Sequence, residues 1–122
     1  MTKVIFDSSF LIAVVEHPTT WFEDITEKVG MLEPVSLECI LTELEQLASH
    51  GGRKGRAARV ALELARGFLR VPCGSAGPDQ EIMSGALTMG AAVATTDREL
   101  SRTLTARHVM VLGLRSGRVT VL

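Results

Sequence analysis

The sequence predicts one α/β domain with a mostly parallel central sheet, from three observations. Short apolar runs rich in β-branched residues recur along the chain, and each is too brief to form a helix. Stretches with one-sided helical periodicity lie between them, and strands alternating with helices indicate a parallel sheet covered on both faces. The chain has 122 residues, of which 46% are hydrophobic. That length suits one domain able to bury roughly two thirds of its unfolded surface.

Lys3-Val4-Ile5-Phe6 reads as a buried strand. Asp7-Ser8-Ser9 offers polar caps to a helix over Phe10 to Val15, which His17-Pro18 ends because proline disfavours helical geometry in the residue before it. Trp21 to Val29 carries apolar residues at 21, 22, 25 and 29, a short amphipathic helix. Glu33 to Leu37 is the second strand. Apolar positions 37, 40, 41, 44, 47 and 48 then form a helical stripe that Gly51-Gly52 stops. The same period continues from Arg53 to Leu69, and Arg70 to Cys73 reads as a weak third strand. Pro78 sits near the start of a helix running to Met89. Ala91 to Thr95 is a fourth strand, and Thr96-Asp97-Arg98-Glu99 matches a capping box opening a further helix. His108 to Leu114 gives a fifth strand, and Arg118 to Leu122 a short edge strand after the Ser116-Gly117 turn. No repeat, low-complexity tract or linker divides residues 1–122.

No apolar run reaches the ~18 residues needed to cross a bilayer. The start, Met1-Thr2-Lys3-Val4, lacks the pattern of a signal peptide, so a cytoplasmic location is expected. Cys39 and Cys73 lack metal-ligand spacing. In that compartment they read as two reduced, buried thiols, in preference to a disulfide. The formal net charge is −1, from 13 basic and 14 acidic side chains. Neutralising four acids with cations would leave an excess of positive charge, compatible with an anionic ligand. The absence of tyrosine and the 4% aromatic content argue against base-stacking recognition of the RNA-recognition-motif type. Trp21, Phe22 and Phe68 read as core residues. Arg53, Lys54, Arg56 and Arg59 are the densest basic stretch, either a solubilising face or an RNA-backbone contact.

Ligands of parallel α/β sheets sit beyond the carboxyl ends of the strands. Asp7 follows the first strand directly, and Asp97 follows the fourth strand, so both emerge at that edge. Each also has a local reading as a helix cap. Glu43 flanks the stripe of the helix after the second strand, but so does Glu45, and a helical wheel does not choose between them. Asp79 and Glu81 occupy the first turn of a helix, where the macrodipole favours negative charge. The combination is more informative than its parts. Two carboxylates ~4 Å apart repel by roughly 4 kcal/mol at a surface-like dielectric. Several gathered together require cations or protons. Oxygen-only ligands favour Mg²⁺ or Mn²⁺, ions suited to phosphodiester cleavage.

At these residues the chain resembles a PIN domain over nearly its whole length. Val4-Ile5-Phe6-Asp7-Ser8-Ser9 is similar to the family's opening strand ending in aspartate. Thr42-Glu43-Leu44-Glu45-Gln46-Leu47 resembles its helical glutamate-leucine motif, which selects Glu43 over Glu45. Asp79-Gln80-Glu81-Ile82 with Ala86 resembles its third motif, and Ala94-Thr95-Thr96-Asp97-Arg98-Glu99-Leu100 its fourth. The resemblance implies a three-layer α/β/α sandwich and a Mg²⁺- or Mn²⁺-dependent endoribonuclease acting on RNA. It implies that Asp7, Glu43, Asp79 and Asp97 bind metal directly or through water, with Ser9 and Thr95 in support. Two positions depart from the rRNA-processing branch: Gln80 replaces the second acid of the third motif, and Thr96 replaces an asparagine in the fourth. The first departure weakens the case for a second metal site and leaves open a role for Glu81. Within the family the chain looks like small archaeal proteins related to rRNA-processing endonucleases, some of which are VapC-type toxins. A homodimer using the Trp21 helix, and an antitoxin partner for the toxin role, are further implications.

Two other classes fit less well. A phosphotransfer receiver domain needs paired acids after the first strand and a lysine after the fifth, but Asp7 stands alone and Leu112-Gly113-Leu114-Arg115 has no lysine. An aspartyl-nucleophile phosphatase needs a second aspartate where Ser9 stands. A PIN scaffold that binds RNA or protein without cutting is the alternative within the family.

Overall fold

Residues 1–122 are described by a computed structural model. In chain order its elements are β1 (Thr2–Phe6), α1 (Ser8–Glu16), α2 (Trp21–Val29), β2 (Leu32–Leu37), α3 (Glu38–Ala48) and α4 (Gly52–Ala65). These are followed by β3 (Leu69–Val71), α5 (Pro78–Met89), β4 (Ala92–Ala94), α6 (Arg98–Ala106), β5 (Val111–Arg115) and β6 (Arg118–Val121). The six strands form one sheet in the order β3-β2-β1-β4-β5-β6. All neighbours are parallel except the final β5–β6 pair. From β1 the chain steps outward to β2 and β3, then crosses back to β4 and continues the other way. The order therefore reverses between β1 and β4, and ligands of such sheets bind beyond the carboxyl ends of the strands at that reversal.

Hydrophobic burial explains why this arrangement holds. Val4, Ile5, Phe6, Val35, Val93 and Val111 are fully buried, as expected for strands covered on both faces. Phe6 ends the central strand and meets the rings of Phe10, Trp21 and Phe68 at 5.6, 5.5 and 5.1 Å between centroids. This aromatic cluster, worth more than its buried area through ring geometry, anchors the residue immediately before Asp7. Phe22 departs from the core role expected of it and is 47% exposed, stacked edge-on against Trp21.

Several boundaries differ from the sequence reading, two of them for reasons the structure makes plain. The helical period predicted from Arg53 to Leu69 stops at Ala65. Phe68 turns into the aromatic cluster, and Leu69 to Val71 pair with Val35 to Leu37 instead, so sheet pairing overrides local periodicity. The fifth strand begins at Val111 and not His108, because His108 adopts a left-handed φ of 61° as α6 closes. The last strand runs antiparallel through Ser116 and Gly117, both at positive φ, as a tight two-residue hairpin requires.

The cysteines overturn the expectation of two reduced, buried thiols. Cys39 and Cys73 are half-buried and form a disulfide, with Cα atoms 5.8 Å apart, within the usual range for such a bond. The cause is strand register. Leu37 pairs with Val71, and each cysteine lies two residues beyond its member of that pair. Their separation of 34 positions conceals a direct meeting at the carboxyl edge of the sheet.

A second tie joins α2 to the edge hairpin. The buried Asp24 carboxylate accepts hydrogen bonds from Arg118 Nε at 2.9 Å, Arg118 Nη2 at 3.0 Å and the Val119 backbone N–H at 3.1 Å. The Arg118 hydrogen bonds, followed by the Val119 donor, hold its pKa down to about 2 against the opposing effect of burial. No helix is long and apolar enough to cross a membrane.

Candidate acidic site at the strand-order reversal

Asp7 continues the β1–β4 ladder: its N–H donates to Ala94 O at 2.9 Å. Its side chain does not cap α1. Instead Oδ2 accepts from Ser9 Oγ and Thr95 Oγ1, both at 2.7 Å. The local capping explanation therefore does not account for this residue. Asp7 is only 6% exposed, no lysine or arginine pairs with it, and its second oxygen accepts no protein hydrogen bond.

Thr95 links the two aspartates. Its hydroxyl, fully buried, donates to Asp7 and accepts from the Asp97 N–H at 3.1 Å. Ser9 likewise donates to Asp7 and accepts from the Thr96 N–H at 3.1 Å. Two hydroxyls thus fix the carboxylate and splice the start of α1 to the loop after β4. Asp97 does cap its helix, with Oδ1 accepting from Leu100 N–H at 3.0 Å, which is the local cap reading of this residue. The capping box expected from Thr96 and Glu99 does not form, because the Thr96 N–H donates to Ser9 Oγ. Its Oδ2 accepts no protein hydrogen bond.

Glu43 faces the same edge from α3. It is half-buried while Glu45 is exposed, and its Oε1 accepts from Ser8 Oγ. Ser8 is a contact that the sequence reading missed; only its place beside Asp7 could have flagged it.

Asp79 stands at the exposed rim, in the first turn of α5. Its carboxyl is raised above the ordinary value, first by desolvation and then by the negative charges of Asp7, Asp97 and Glu99. Glu99 was read from sequence as a capping-box residue alone. In the structure it and Asp79 line opposite sides of a cleft of about 540 Å³ between α5 and α6. Glu81 has a different task. Its two oxygens accept from the backbone N–H groups of Gly74 and Ala76, at 2.8 and 3.2 Å, closing the loop ahead of α5.

The four expected ligands therefore share one edge, but not one tight shell: no three acidic, histidine or cysteine side chains stand close enough to hold an ion between them. The donor chemistry fits a hard divalent cation, because Asp7, Asp97 and Glu43 each present a carboxylate oxygen without a protein donor. Mg²⁺ keeps several waters and needs only one or two direct carboxylates, so the wide spacing is compatible with binding partly through water.

Arg53 and Arg56, expected as a possible RNA contact, lie elsewhere. They line a cavity with Val15, Glu16 and His17 at the far end of α1, one helix length of about 13 Å from Asp7.

Comparisons with known proteins bear on the family and the fold. The model of the PIN like domain family matches residues 4–117. The PIN domain endonuclease Utp24 superposes with a TM-score of 0.77 at 25% identity, over 98% of this chain and 90% of that one. A domain of a functionally unknown protein from Methanocaldococcus jannaschii gives 0.69 at 17% identity, over 100% and 97%. PAE2754 from Pyrobaculum aerophilum gives 0.52 at 20% identity, over 87% and 88%, a likeness of fold alone. No curated protein matches in sequence. With its family match, its sheet order and its edge of carboxylates, this chain belongs to the PIN domain family, whose members are generally nucleases.

Proposed function

We propose that this domain is an endoribonuclease dependent on Mg²⁺ or Mn²⁺, with Asp7 and Asp97 as the central ligands and Glu43 and Asp79 completing the acidic field. The observation that carries this reading is Asp7 itself. A carboxylate removed from water without a basic partner is costly. This one is turned away from the helix it could cap, locked through one oxygen, and left with the other at the strand-order reversal. A divalent cation bound there would supply charge neutralisation and an activated water for in-line attack on phosphorus. Ser9 and Thr95 hold the first aspartate in one orientation, so little reorganisation accompanies binding. Glu43 and Asp79 enclose the crevice and orient water by hydrogen bonding. The ribose oxygen leaves as the P–O bond breaks.

The experiment is cleavage of a labelled RNA in Mn²⁺ by the wild type, Asp7→Asn and Asp97→Asn. Loss of a single electrostatic element of such a site is expected to lower the rate by about 10² or more, with unchanged circular dichroism. Full activity in both variants would refute the assignment. The wide spacing of the acids favours one rival reading, a catalytically weak scaffold that binds RNA or protein. It predicts RNA binding without cleavage at any Mn²⁺ concentration. Within the nuclease reading, an antitoxin co-purifying with the chain would indicate a VapC-type toxin. Cleavage of precursor rRNA without such a partner would indicate processing. A homodimer, if formed, would appear in sedimentation.

A further inference from the structure

Helix α6 sorts its charges onto two faces. Glu99 and Thr103 turn toward α5 and the cleft they share with Asp79. Arg98, Arg102 and Thr105, spaced by four and three residues and hence on one face, turn the other way. With Arg115 and Thr120 they line a cleft of about 800 Å³ between α6 and the β5–β6 hairpin. No Asp or Glu side chain lines this cleft, and none of its three arginines forms an ion pair. One end is formed by Thr95 and Thr96, whose hydroxyl and N–H are bonded to Asp7 and Ser9. The cleft therefore begins at the acidic centre. Register sets the position of Arg115. Ala94, the last residue of β4, pairs with Leu112, so Arg115 stands three residues further along β5, beyond the carboxyl end of β4. The buried Gly113 lies opposite Thr120, and the Leu122 side chain packs over it, with Cδ1 3.1 Å from where a Cβ would stand. Leu122 thus forms the apolar floor of the cleft.

Resting on the nuclease reading for its substrate, we propose that this cleft holds the sugar–phosphate backbone of the RNA strand on one side of the scissile bond, with Arg98, Arg102 and Arg115 on successive phosphates. Guanidinium groups bind phosphate through paired N–H donors, and the unpaired hydroxyl of Thr120 adds a donor on the opposite wall. Arg98 and Arg102 are about 6 Å apart along the helix. The acidic and basic faces of α6 meet at Asp97, so a strand leaving the carboxylates passes directly into positive potential. The basic stretch at Arg53 to Arg59 lies at the far end of α1 and takes no part.

The probe is a fluorescein-labelled 20-nucleotide oligouridine in EDTA, so that binding is read without cleavage. Replacing Arg98, Arg102 and Arg115 together by Gln is expected to weaken binding about tenfold or more and lower the slope of log K against log salt by about 2. Arg53→Gln with Arg56→Gln is expected to leave both nearly unchanged. Ultraviolet cross-linking of 4-thiouridine RNA should label peptides spanning residues 98–105 and 113–120. A triple variant that binds and cross-links as the wild type does, an equal loss from the residue 53 and 56 changes, or no salt-dependent binding by the wild type would each overturn the proposal. The two readings fail separately. Binding lost in the triple variant of a protein that cuts no RNA in Mn²⁺ removes the nuclease but leaves the cleft. Cleavage with an unchanged KM in the triple variant removes the cleft but leaves the nuclease.

Discussion

Thr95 shows how much of the site depends on single hydroxyls. Valine in its place keeps the shape but removes the donor to Asp7 and orphans the Asp97 N–H. An unsatisfied buried polar group costs about 1–3 kcal/mol, so Thr95→Val should lower the unfolding free energy measured in urea by that amount and slow cleavage, while Thr95→Ser restores both. A valine variant as stable and active as the wild type would contradict the role. Asp24 makes a prediction about pH. Its folded pKa of about 2 lies below the ordinary 3.8, so the unfolded chain binds the proton more tightly. Its contribution to stability is complete above about pH 4 and disappears as pH falls toward 2. The gap in urea midpoint between the wild type and Asp24→Asn should be constant from pH 5 to 7 and close between pH 4 and 2. A gap independent of pH would exclude the carboxylate as its source. Asp79 has the opposite sign: desolvation first, and then the charges of Asp7, Asp97 and Glu99, make its ionised form unfavourable, and a cation at this edge would relieve the second of these.

Between elements, the register of β2 against β3 carries most of the consequence. It brings Cys39, one helical turn ahead of Glu43 on α3, against Cys73 in the connection leading to Asp79. A bridge closing 34 residues stabilises by roughly 3–4 kcal/mol on the chain-entropy account. Cys39→Ser with Cys73→Ser should therefore unfold at lower urea, by an amount that a reductant reproduces in the wild type. Equal midpoints for oxidised, reduced and double-serine protein would show that the bridge contributes nothing. The sequence concealed this contact because local periodicity reports which residues face a core, not which strands become neighbours. Phe68 is a parallel case. Its helical spacing extended α4 too far, since nothing local signals that the ring will pack on Phe6. The elements with strong punctuation were legible: His17-Pro18 ends α1, and Pro78 opens α5 at the position read from sequence.

Across the molecule, alternating strands and helices specified the parallel sheet, and the family's motifs chose Glu43 where a helical wheel left it level with Glu45. Neither could show that Ser8 would reach Glu43, that Glu99 would face Asp79, or that the arginines near the acids come from α6 and β5. Those facts depend on which helix packs where, which the pattern of one chain does not encode. The fold places one face of carboxylates and one of guanidiniums around the reversal between β1 and β4. On that placement a divalent cation should be retained by the acids. Manganese binding followed by electron paramagnetic resonance tests this without RNA. The wild type should deplete the free Mn²⁺ signal at submillimolar concentrations, and Asp7→Asn should leave it largely intact. A wild type that leaves the free signal unchanged up to millimolar Mn²⁺, or a variant that titrates identically, would contradict the account.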